Sequence, residues 1–373
     1  MKTKILFLIG IIALAIAFSG CAQQQGTQGE IKIGFIGPIT GPMAKYGAFE
    51  AVQLAVEEIN SNGGINGVPV KMIFEDAKCD AKEAVNSMNK LINVDGVKVI
   101  LGGHCSPESL AIAPIAEQNK VVMLASITTT PSLSKSGEYV FRTSPVGTQQ
   151  VPLMTGLLAK LKAKKLAIVF EQTDYAAPIA EKLKNDFTAS GGKVVSYDSY
   201  TPGTTDFRTI LSKIMGLNPD VVFLSPQNPD AGFMLVKQMK ELGMAQQILG
   251  NDVMGNVAAF IKNPELHEGI IFPSPSFNPN NPKSKEFMDK YRARYGSEIS
   301  YGFWTSESYD AVYIIADAIK QKGLDVEGIR QYLYNLKDFE GASGKLAIDA
   351  NGDGIRGYEL LIVKADNKVE EYQ

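Results

Sequence analysis

Two hydroxyl side chains stand where predicted strands lead into predicted helices, and groups placed in this way can bind an anion. Ser106 follows a strand predicted over 97–102 and precedes Pro107, as an N-cap residue does. Thr129 has a similar setting after a strand predicted over 121–125. Because the start of a helix presents unpaired N–H groups, two such starts side by side form a positively polarised cradle that suits a carboxylate. Serine and threonine are also common N-cap residues, so a purely structural role explains the pattern equally well.

No arrangement of side chains in the sequence is recognisable as a catalytic centre. His104 and Ser106 are two residues apart near a helix start, where they need not face one another, and no third group orients the histidine. The patterns G-x-S-x-G, H-E-x-x-H, C-x-x-C and the phosphate-binding P-loop are absent. We therefore predict that the protein is not an enzyme and uses no cofactor. An exported enzyme is the alternative from another class of function.

One segment begins like a calcium-binding loop. It reads DANGDG at residues 349–354, but the twelfth position of the loop is Leu360, where a bidentate glutamate is required. We predict a tight turn between strands instead. The two histidines, His104 and His267, belong to no pattern of metal ligands, so no metal site is predicted.

The N-terminal residues predict export. Two lysines precede an apolar run over 5–18 that is too short to span a bilayer comfortably, which is typical of a signal peptide, here residues 1–20. The residues FSGC at 18–21 resemble a bacterial lipobox, which predicts a lipid on Cys21; plain secretion with an incidental Cys21 is the alternative. The polar stretch 21–30 suits a flexible tether.

The charge of the remaining chain argues against nucleic acid as a partner. Removing the signal takes away two of the 37 basic residues and none of the 40 acidic ones, which leaves a net charge of about −5. No basic tract stands out, and no later apolar segment is long enough to cross a membrane.

Strand-like runs alternate with amphipathic helices almost throughout, which predicts an α/β fold with doubly wound parallel sheets. The length exceeds what one core usually holds, so we expect two lobes. Strands are predicted over 31–37, 68–74, 97–102, 121–125, 165–170, 193–198, 220–225, 246–250, 269–273 and 359–364. Helices are predicted over 44–61, 81–93, 107–118, 148–162, 175–190, 206–216, 229–243, 283–295, 305–322 and 326–335.

The stretch Val52–Asp80, VQLAVEEINSNGGINGVPVKMIFEDAKCD, carries a resemblance to a known family. An apolar stripe predicts a helix, a pair of glycines ends it, and a strand then delivers Cys79. With the strand over 31–37 this forms a βαβ unit. The order of these elements and the residues in them resemble those of the periplasmic amino-acid-binding proteins of the leucine/isoleucine/valine-binding type. The resemblance covers nearly all of the mature chain and is strongest over 31–131.

The resemblance implies a type I periplasmic-binding-protein fold, with two lobes joined by three crossings of the chain. The crossings are expected near 143–147, 273–277 and 353–358. The first lobe would comprise 31–145 with 275–355, and the second 146–274 with 356–373. The implied function is capture of a small amino acid by hinge closure and its delivery, by a monomer, to the permease of an ABC importer. A sensory ectodomain that signals to a kinase is the alternative.

The resemblance also implies a disulfide and a set of binding residues. Cys79 and Cys105 would be bonded, whereas two buried free thiols are the alternative from the residues alone. The ligand carboxylate would meet Ser106 and Thr129. The residues assigned to the ammonium and to the side-chain pocket are the carbonyl of Ile127, the Thr129 hydroxyl, Asp252, Tyr46, Tyr175 and Trp304.

Two departures from the family pattern bear on the ligand. Gln227 stands where the aliphatic binders have a tyrosine, and its amide could hydrogen-bond a polar ligand or face water. Asp252 stands where members of the resembled family have a glutamate, and it is one methylene shorter. Both changes weaken leucine as the specific ligand. A receptor for an amide, urea or an aromatic acid is a second candidate, although Asp252 argues against uncharged ligands.

Overall fold

The computed structural model describes residues 29–296, 299 and 301–373. The predicted signal peptide, the predicted lipidation site Cys21 and most of the predicted tether lie outside the described residues. The strands are β1 Ile31–Gly37, β2 Val70–Asp76, β3 Val99–Gly102, β4 Val122–Ala125, β5 Val140–Arg142, β6 Lys165–Glu171, β7 Lys193–Tyr200, β8 Val221–Ser225, β9 Gln247–Gly250, β10 Ile271–Pro275, β11 Phe339–Gly341, β12 Gly344–Ile348, β13 Gly354–Ile355, β14 Tyr358–Val363 and β15 Val369–Glu371. The α-helices are α1 Ala48–Ser61, α2 Ala81–Asn93, α3 Ser106–Asn119, α4 Val151–Lys160, α5 Ala176–Ala189, α6 Arg208–Leu217, α7 Pro229–Glu241, α8 Pro264–His267, α9 Pro282–Tyr295, α10 Gly302–Lys322 and α11 Val326–Tyr334.

Two sheets share one strand order. The first sheet has five parallel strands in the order β2-β1-β3-β4-β5. The second begins β7-β6-β8-β9-β10, also parallel and in the equivalent order. The repeat of the strand-and-helix series along the sequence is therefore a repeat of the same sheet.

The second sheet contains two antiparallel strands in addition to its five parallel ones. The strands β14 and β15 extend its β10 edge, and both pair antiparallel to their neighbours. A small antiparallel sheet of β11, β12 and β13 stands apart. The segment 349–354 forms the turn between β12 and β13 and enters β13 at Gly354, which confirms the predicted turn between strands, and the Asp349 carboxylate accepts N–H bonds from Asn351 and Asp353.

Both sheets are covered by apolar side chains on each face, as a doubly wound fold requires. Successive residues of a strand point to opposite faces, so Phe35 and Ile36 belong to different core clusters, as do Ile168 and Val169. The helix α10 packs on α1 over the face that carries Phe35. The first lobe is thus built from both ends of the chain. Among the described residues, no helix combines the length and the apolar character that crossing a membrane needs.

The chain passes between the sheets three times, after β5, after β10 and before β14. A buried ion pair joins the first and third passages, because Arg142 Nε lies 2.7 Å from Asp353 Oδ1. A second guanidinium, that of Arg356, lies 3.4 Å from Glu307. Burial raises the pKa of Glu307 to about 7, and the charge of Arg356 acts in the opposite direction. Polar groups that are buried and paired in this way hold the linking segments in one arrangement.

The structure corrects several predicted elements. The helix predicted over 44–61 is a 3₁₀-helix at Pro42–Tyr46 followed by α1, separated by Gly47 in the left-handed conformation. The helix predicted over 148–162 likewise begins as a 3₁₀-helix. The prediction missed α8 and five short strands, β5, β11, β12, β13 and β15. Each is five residues or shorter and has too little periodicity to be recognised.

Candidate ligand-binding cleft

A cleft lies at the carboxyl ends of the parallel strands, between the two lobes. It holds about 330 Å³ of space between protein atoms, including the open solvent at its mouth. Seven of the eight predicted binding residues line it. The lining consists of Met43, Tyr46, His104, Cys105, Ser106, Ile127, Tyr175, Gln227, Asp252, Val253 and Trp304.

Ser106 reaches the cleft from the first turn of α3. The helix begins at Ser106, so Cys105 and not Ser106 is the N-cap residue, which corrects the prediction by one position. The Glu108 carboxylate folds back over this start and accepts N–H bonds from Cys79, His104 and Cys105 at 2.7–3.0 Å. Burial raises the pKa of Glu108 to about 7, against the effect of these three donors. The helix start therefore has a buried acid of its own behind the wall of the cleft.

Thr129 is the predicted residue that does not line the cleft. Its helix start is a 3₁₀-helix at Pro131–Lys135, and Thr130 is the N-cap residue there. The Thr129 carbonyl accepts the N–H of Gly147 at 2.7 Å, while its Oγ1 is buried without a hydrogen-bond partner among the described residues. Its hydroxyl is thus available for a further hydrogen bond.

A disulfide forms part of the cleft wall. Cys79 and Cys105 are bonded, with their Cα atoms 5.3 Å apart and a sequence separation of 26. This is the pairing that the family resemblance implies. Gln227 from the second lobe donates to Cys79 Sγ at 3.2 Å, so the disulfide meets the opposite wall directly.

Asp252 places a buried carboxylate on the second lobe. It begins a 3₁₀-helix just after β9 and is only 5% exposed. Its Oδ1 accepts from Tyr175 Oη at 2.5 Å and from Gln150 Nε2 at 3.0 Å. Burial raises the pKa of Asp252, and the two hydrogen bonds act against that rise. Among the described residues, no basic side chain forms an ion pair with Asp252. A buried carboxylate of this kind calls for a cation.

Aromatic rings enclose the cleft from the first lobe. Tyr46 and Tyr301 are stacked with ring centroids 4.7 Å apart, and Trp304 packs against Phe303. The Tyr301 hydroxyl donates to the carbonyl of Val253 in the second lobe. Sequence reasoning missed Tyr301, although it stands three residues before Trp304. It also missed Gln150, which has no local signal because only the first passage between the lobes brings it to Asp252.

The lobes touch one another across the cleft. Lys45 Nζ lies 2.5 Å from Asp230 Oδ1 near the surface, in addition to the contacts of Gln227 with Cys79 and of Tyr301 with Val253. The structure is therefore a closed arrangement of the two lobes.

His104 is a further residue of the cleft wall that sequence reasoning did not assign to binding. It is 3% exposed, its ring lies 4.7 Å from that of Phe35, and its Nδ1 is 2.9 Å from the carbonyl oxygen of Ile36. Burial lowers the pKa of His104 to about 4, and the hydrogen bond to Ile36 acts in the opposite direction. The imidazole is therefore neutral at ordinary pH.

This burial predicts a pH dependence of stability. Between about pH 6.5 and pH 4 the unfolded chain takes up a proton that the folded His104 does not, so the contribution of His104 to the free energy of unfolding falls as the pH falls. From about pH 7 to pH 4.5 this contribution amounts to roughly 2 kcal/mol. The raised pKa values of Glu108 and Glu307 contribute in the opposite direction in both the wild type and a His104 variant. Urea unfolding at both pH values should show that lowering the pH is less unfavourable for the stability of His104→Asn than for that of the wild type, by roughly 2 kcal/mol. An equal change in the free energy of unfolding of the two proteins would contradict the assignment.

Two sheets of parallel strands with a cleft between their carboxyl ends define a two-lobed receptor that closes around a small solute. The chain belongs to the periplasmic binding protein family, whose profile matches residues 30–368. This is the family whose fold the sequence resembled.

Individual relatives agree with this assignment. A leucine-, isoleucine-, valine-, threonine- and alanine-binding protein of Pseudomonas aeruginosa is 30% identical over 353 residues, which cover 93% of each chain. A leucine-binding protein of Thermotoga maritima has a TM-score of 0.84 and 30% identity, over 92% of this chain and 98% of that one. The branched-chain amino acid transporter substrate-binding protein of Streptococcus pneumoniae, solved with isoleucine, has the same TM-score, 28% identity and the same coverage.

Proposed function

We propose that the protein is an extracytoplasmic receptor that captures a small amino acid between its lobes and delivers it to the permease of an ABC importer. The observation that carries the proposal is Asp252, a buried carboxylate without a cationic partner among the described residues, in a cleft that also holds a helix start at Ser106. A zwitterionic ligand supplies an ammonium group to Asp252 and a carboxylate to the helix start at Ser106. The names of the relatives support the same ligand class.

The proposal assigns a role to seven of the eight predicted binding residues. The ligand carboxylate meets Ser106, and its ammonium meets Asp252 and the carbonyl of Ile127. The Thr129 hydroxyl completes the set after a small movement of its segment. Tyr46, Tyr175 and Trp304 close the cleft around the ligand. Because the ligand contacts both lobes only when they are closed, it binds the closed form more tightly, and that form is the one a permease can distinguish.

The remaining features of the proposal concern the location and assembly of the protein. We propose that the chain is exported, that a lipid on Cys21 anchors it to the outer face of the membrane, and that it acts as a monomer. We assign 31–145 with 275–355 to the first lobe and 146–274 with 356–373 to the second. The sheets support this division, except that Pro275 pairs within the second sheet.

Isothermal titration of the purified, exported protein against all amino acids, urea, small amides and aromatic acids tests the function. Binding of one or a few amino acids is expected. Binding of urea, amides or aromatic acids alone would replace the proposal with the second candidate ligand class. A binding assay with membrane partners separates transport from signalling. Binding to an ABC permease would support transport, whereas binding to a sensor kinase would support signalling.

Thr129→Ala is expected to weaken amino-acid binding about tenfold to a hundredfold. A hydrogen bond to a charged group contributes about 1.5–3 kcal/mol, and the alanine removes the only hydroxyl at that position. Thr130→Ala is the matched control, because Thr130 Oγ1 is also buried without a partner among the described residues. Titration calorimetry measures both. Unchanged affinity in Thr129→Ala would remove Thr129 from the site.

The ion pair between Lys45 and Asp230 is expected to favour closure slightly. Both side chains are more than a third exposed, so the pair is worth no more than about 1 kcal/mol. Lys45→Glu should therefore weaken ligand binding less than about fivefold at low salt and have no effect at high salt. The double exchange Lys45→Asp with Asp230→Lys should restore the affinity. A salt-independent loss in Lys45→Glu would show that the pair does not act through its charge.

A further inference from the structure

We infer that the cleft selects an amino acid whose uncharged side chain donates a hydrogen bond, a hydroxyl or a carboxamide, over the apolar amino acid of the same shape. This inference rests on the proposed function and adds the class of side chain. It follows from two buried acceptors in the wall of the cleft, His104 and Gln227.

The first acceptor is His104 Nε2. The carbonyl oxygen of Ile36 can only accept, so the Nδ1 atom 2.9 Å away carries the ring proton. The Nε2 atom of the same neutral ring is then an acceptor. It is buried, and no described protein group hydrogen-bonds to it. The ring is held in place by Phe35 and by Gly37, where a Cβ atom would lie 2.6 Å from Nδ1.

The second acceptor is Gln227 Oε1. The residue is 6% exposed, and its backbone N–H donates to Glu171 Oε2 at 2.7 Å, which fixes its position after β8. The amide nitrogen donates to Cys79 Sγ, while the Oε1 atom is buried with no hydrogen-bond partner among the described residues.

The disulfide brings the two acceptors to one part of the cleft. Gln227 contacts Cys79, which is bonded to Cys105, and His104 directly precedes Cys105. Both residues line the same cleft of about 330 Å³. The carboxylate of Asp252 is engaged separately by Tyr175 and Gln150. The space around the disulfide therefore remains for the side chain of the ligand.

The chemistry of these acceptors sets the preference. An apolar side chain would remove both acceptors from water without supplying a donor, and an unsatisfied buried group is costly. A carboxylate side chain would present further acceptors to them. A hydroxyl satisfies one acceptor and a carboxamide can satisfy both. We expect the preference over an isosteric apolar ligand to be at least about tenfold in affinity.

Two isosteric pairs of amino acids test the inference on the wild-type protein. Threonine is compared with valine and asparagine with leucine, each by titration calorimetry. The expected result is that the polar member binds at least about tenfold more tightly in at least one pair. Equal or tighter binding of valine and leucine overturns the inference and leaves the proposed function standing. Failure of every amino acid to bind overturns the proposed function itself, and the inference with it.

Variants assign the effect to the two acceptors. Gln227→Met and His104→Leu should each reduce the preference for asparagine over leucine by up to about tenfold, because each removes one acceptor and keeps an apolar side chain of similar size. Only one of the two variants should reduce the preference for threonine over valine, because a hydroxyl donates to a single acceptor. Gln246→Met is the control, since Gln246 also has a buried Oε1 without a partner but lies outside the cleft. A ratio of affinities is insensitive to a general loss of stability, and melting without ligand shows whether each variant folds. An unchanged ratio in both cleft variants would overturn the assignment.

Discussion

Asp252→Asn is expected to weaken amino-acid binding about a hundredfold or more while making the unliganded protein more resistant to heat. Removing one partner of a buried charge pair costs about 2–5 kcal/mol, so the ammonium of the ligand loses its main attraction. Without ligand the same carboxylate lowers the stability of the folded state, because burial raises its pKa above the ordinary value and disfavours its ionised form. Asparagine keeps an oxygen for the hydrogen bonds from Tyr175 and Gln150.

The experiment is informative because Asp252→Asn is expected to lower the affinity for the ligand and to raise the melting temperature of the unliganded protein. Calorimetric titration gives the affinity, and melting without ligand gives the stability. Asp230→Asn makes the same chemical change at a half-exposed position of the second lobe, where we expect little effect on either quantity. A variant of Asp252 that bound normally would show that the ammonium is held elsewhere. A variant that both bound weakly and melted earlier would indicate general damage to the second lobe.

Loss of the disulfide should destabilise the protein by about 3.5 kcal/mol. This follows from the chain-entropy estimate for the closed loop of 26 residues. The double variant Cys79→Ser with Cys105→Ser is unfolded in urea beside the wild type, each with and without a reducing agent. Reduction should lower the stability of the wild type to that of the variant and leave the variant unchanged.

The disulfide variant should also bind ligand less tightly than the wild type. Cys105 lies in the wall of the cleft, and Gln227 donates to Cys79. The Glu108 carboxylate still bridges the N–H groups of Cys79, His104 and Cys105, so the fold is expected to survive. Equal stability of the reduced and oxidised wild type would show that Glu108 holds this loop without the bond.

The sequence predicts most of the fold because hydrophobic periodicity is local. Apolar periodicity and turn residues bound strands such as β1 and β6 and helices such as α2. The series of alternating strands and helices begins again after about residue 165, which predicts the second sheet. The antiparallel pairing of β14 and β15 could not be predicted from local periodicity. Their direction depends on where the chain returns from the first lobe, which is a property of the whole topology.

The site was predictable to the extent that its residues follow strand ends. Ser106, Gln227 and Asp252 each stand just beyond a strand, and the cleft lies where such positions meet. Gln150 and Tyr301 could not be found in this way. Gln150 stands just before α4 and Tyr301 just before α10, so neither follows a strand end, and the contact of Tyr301 with Val253 forms only between the closed lobes.

The construction of the first lobe from both ends of the chain has a consequence for biosynthesis. Its five strands are complete at Arg142, but α10, which helps to cover the face with Phe35, begins only at Gly302. At a synthesis rate of roughly 5–20 residues per second, that helix follows on the order of ten seconds or more later. Until then only α1 covers that face, and part of it stays unburied. We expect the first lobe to stay incomplete during translation, which suits delivery to a secretion channel that accepts unfolded chains.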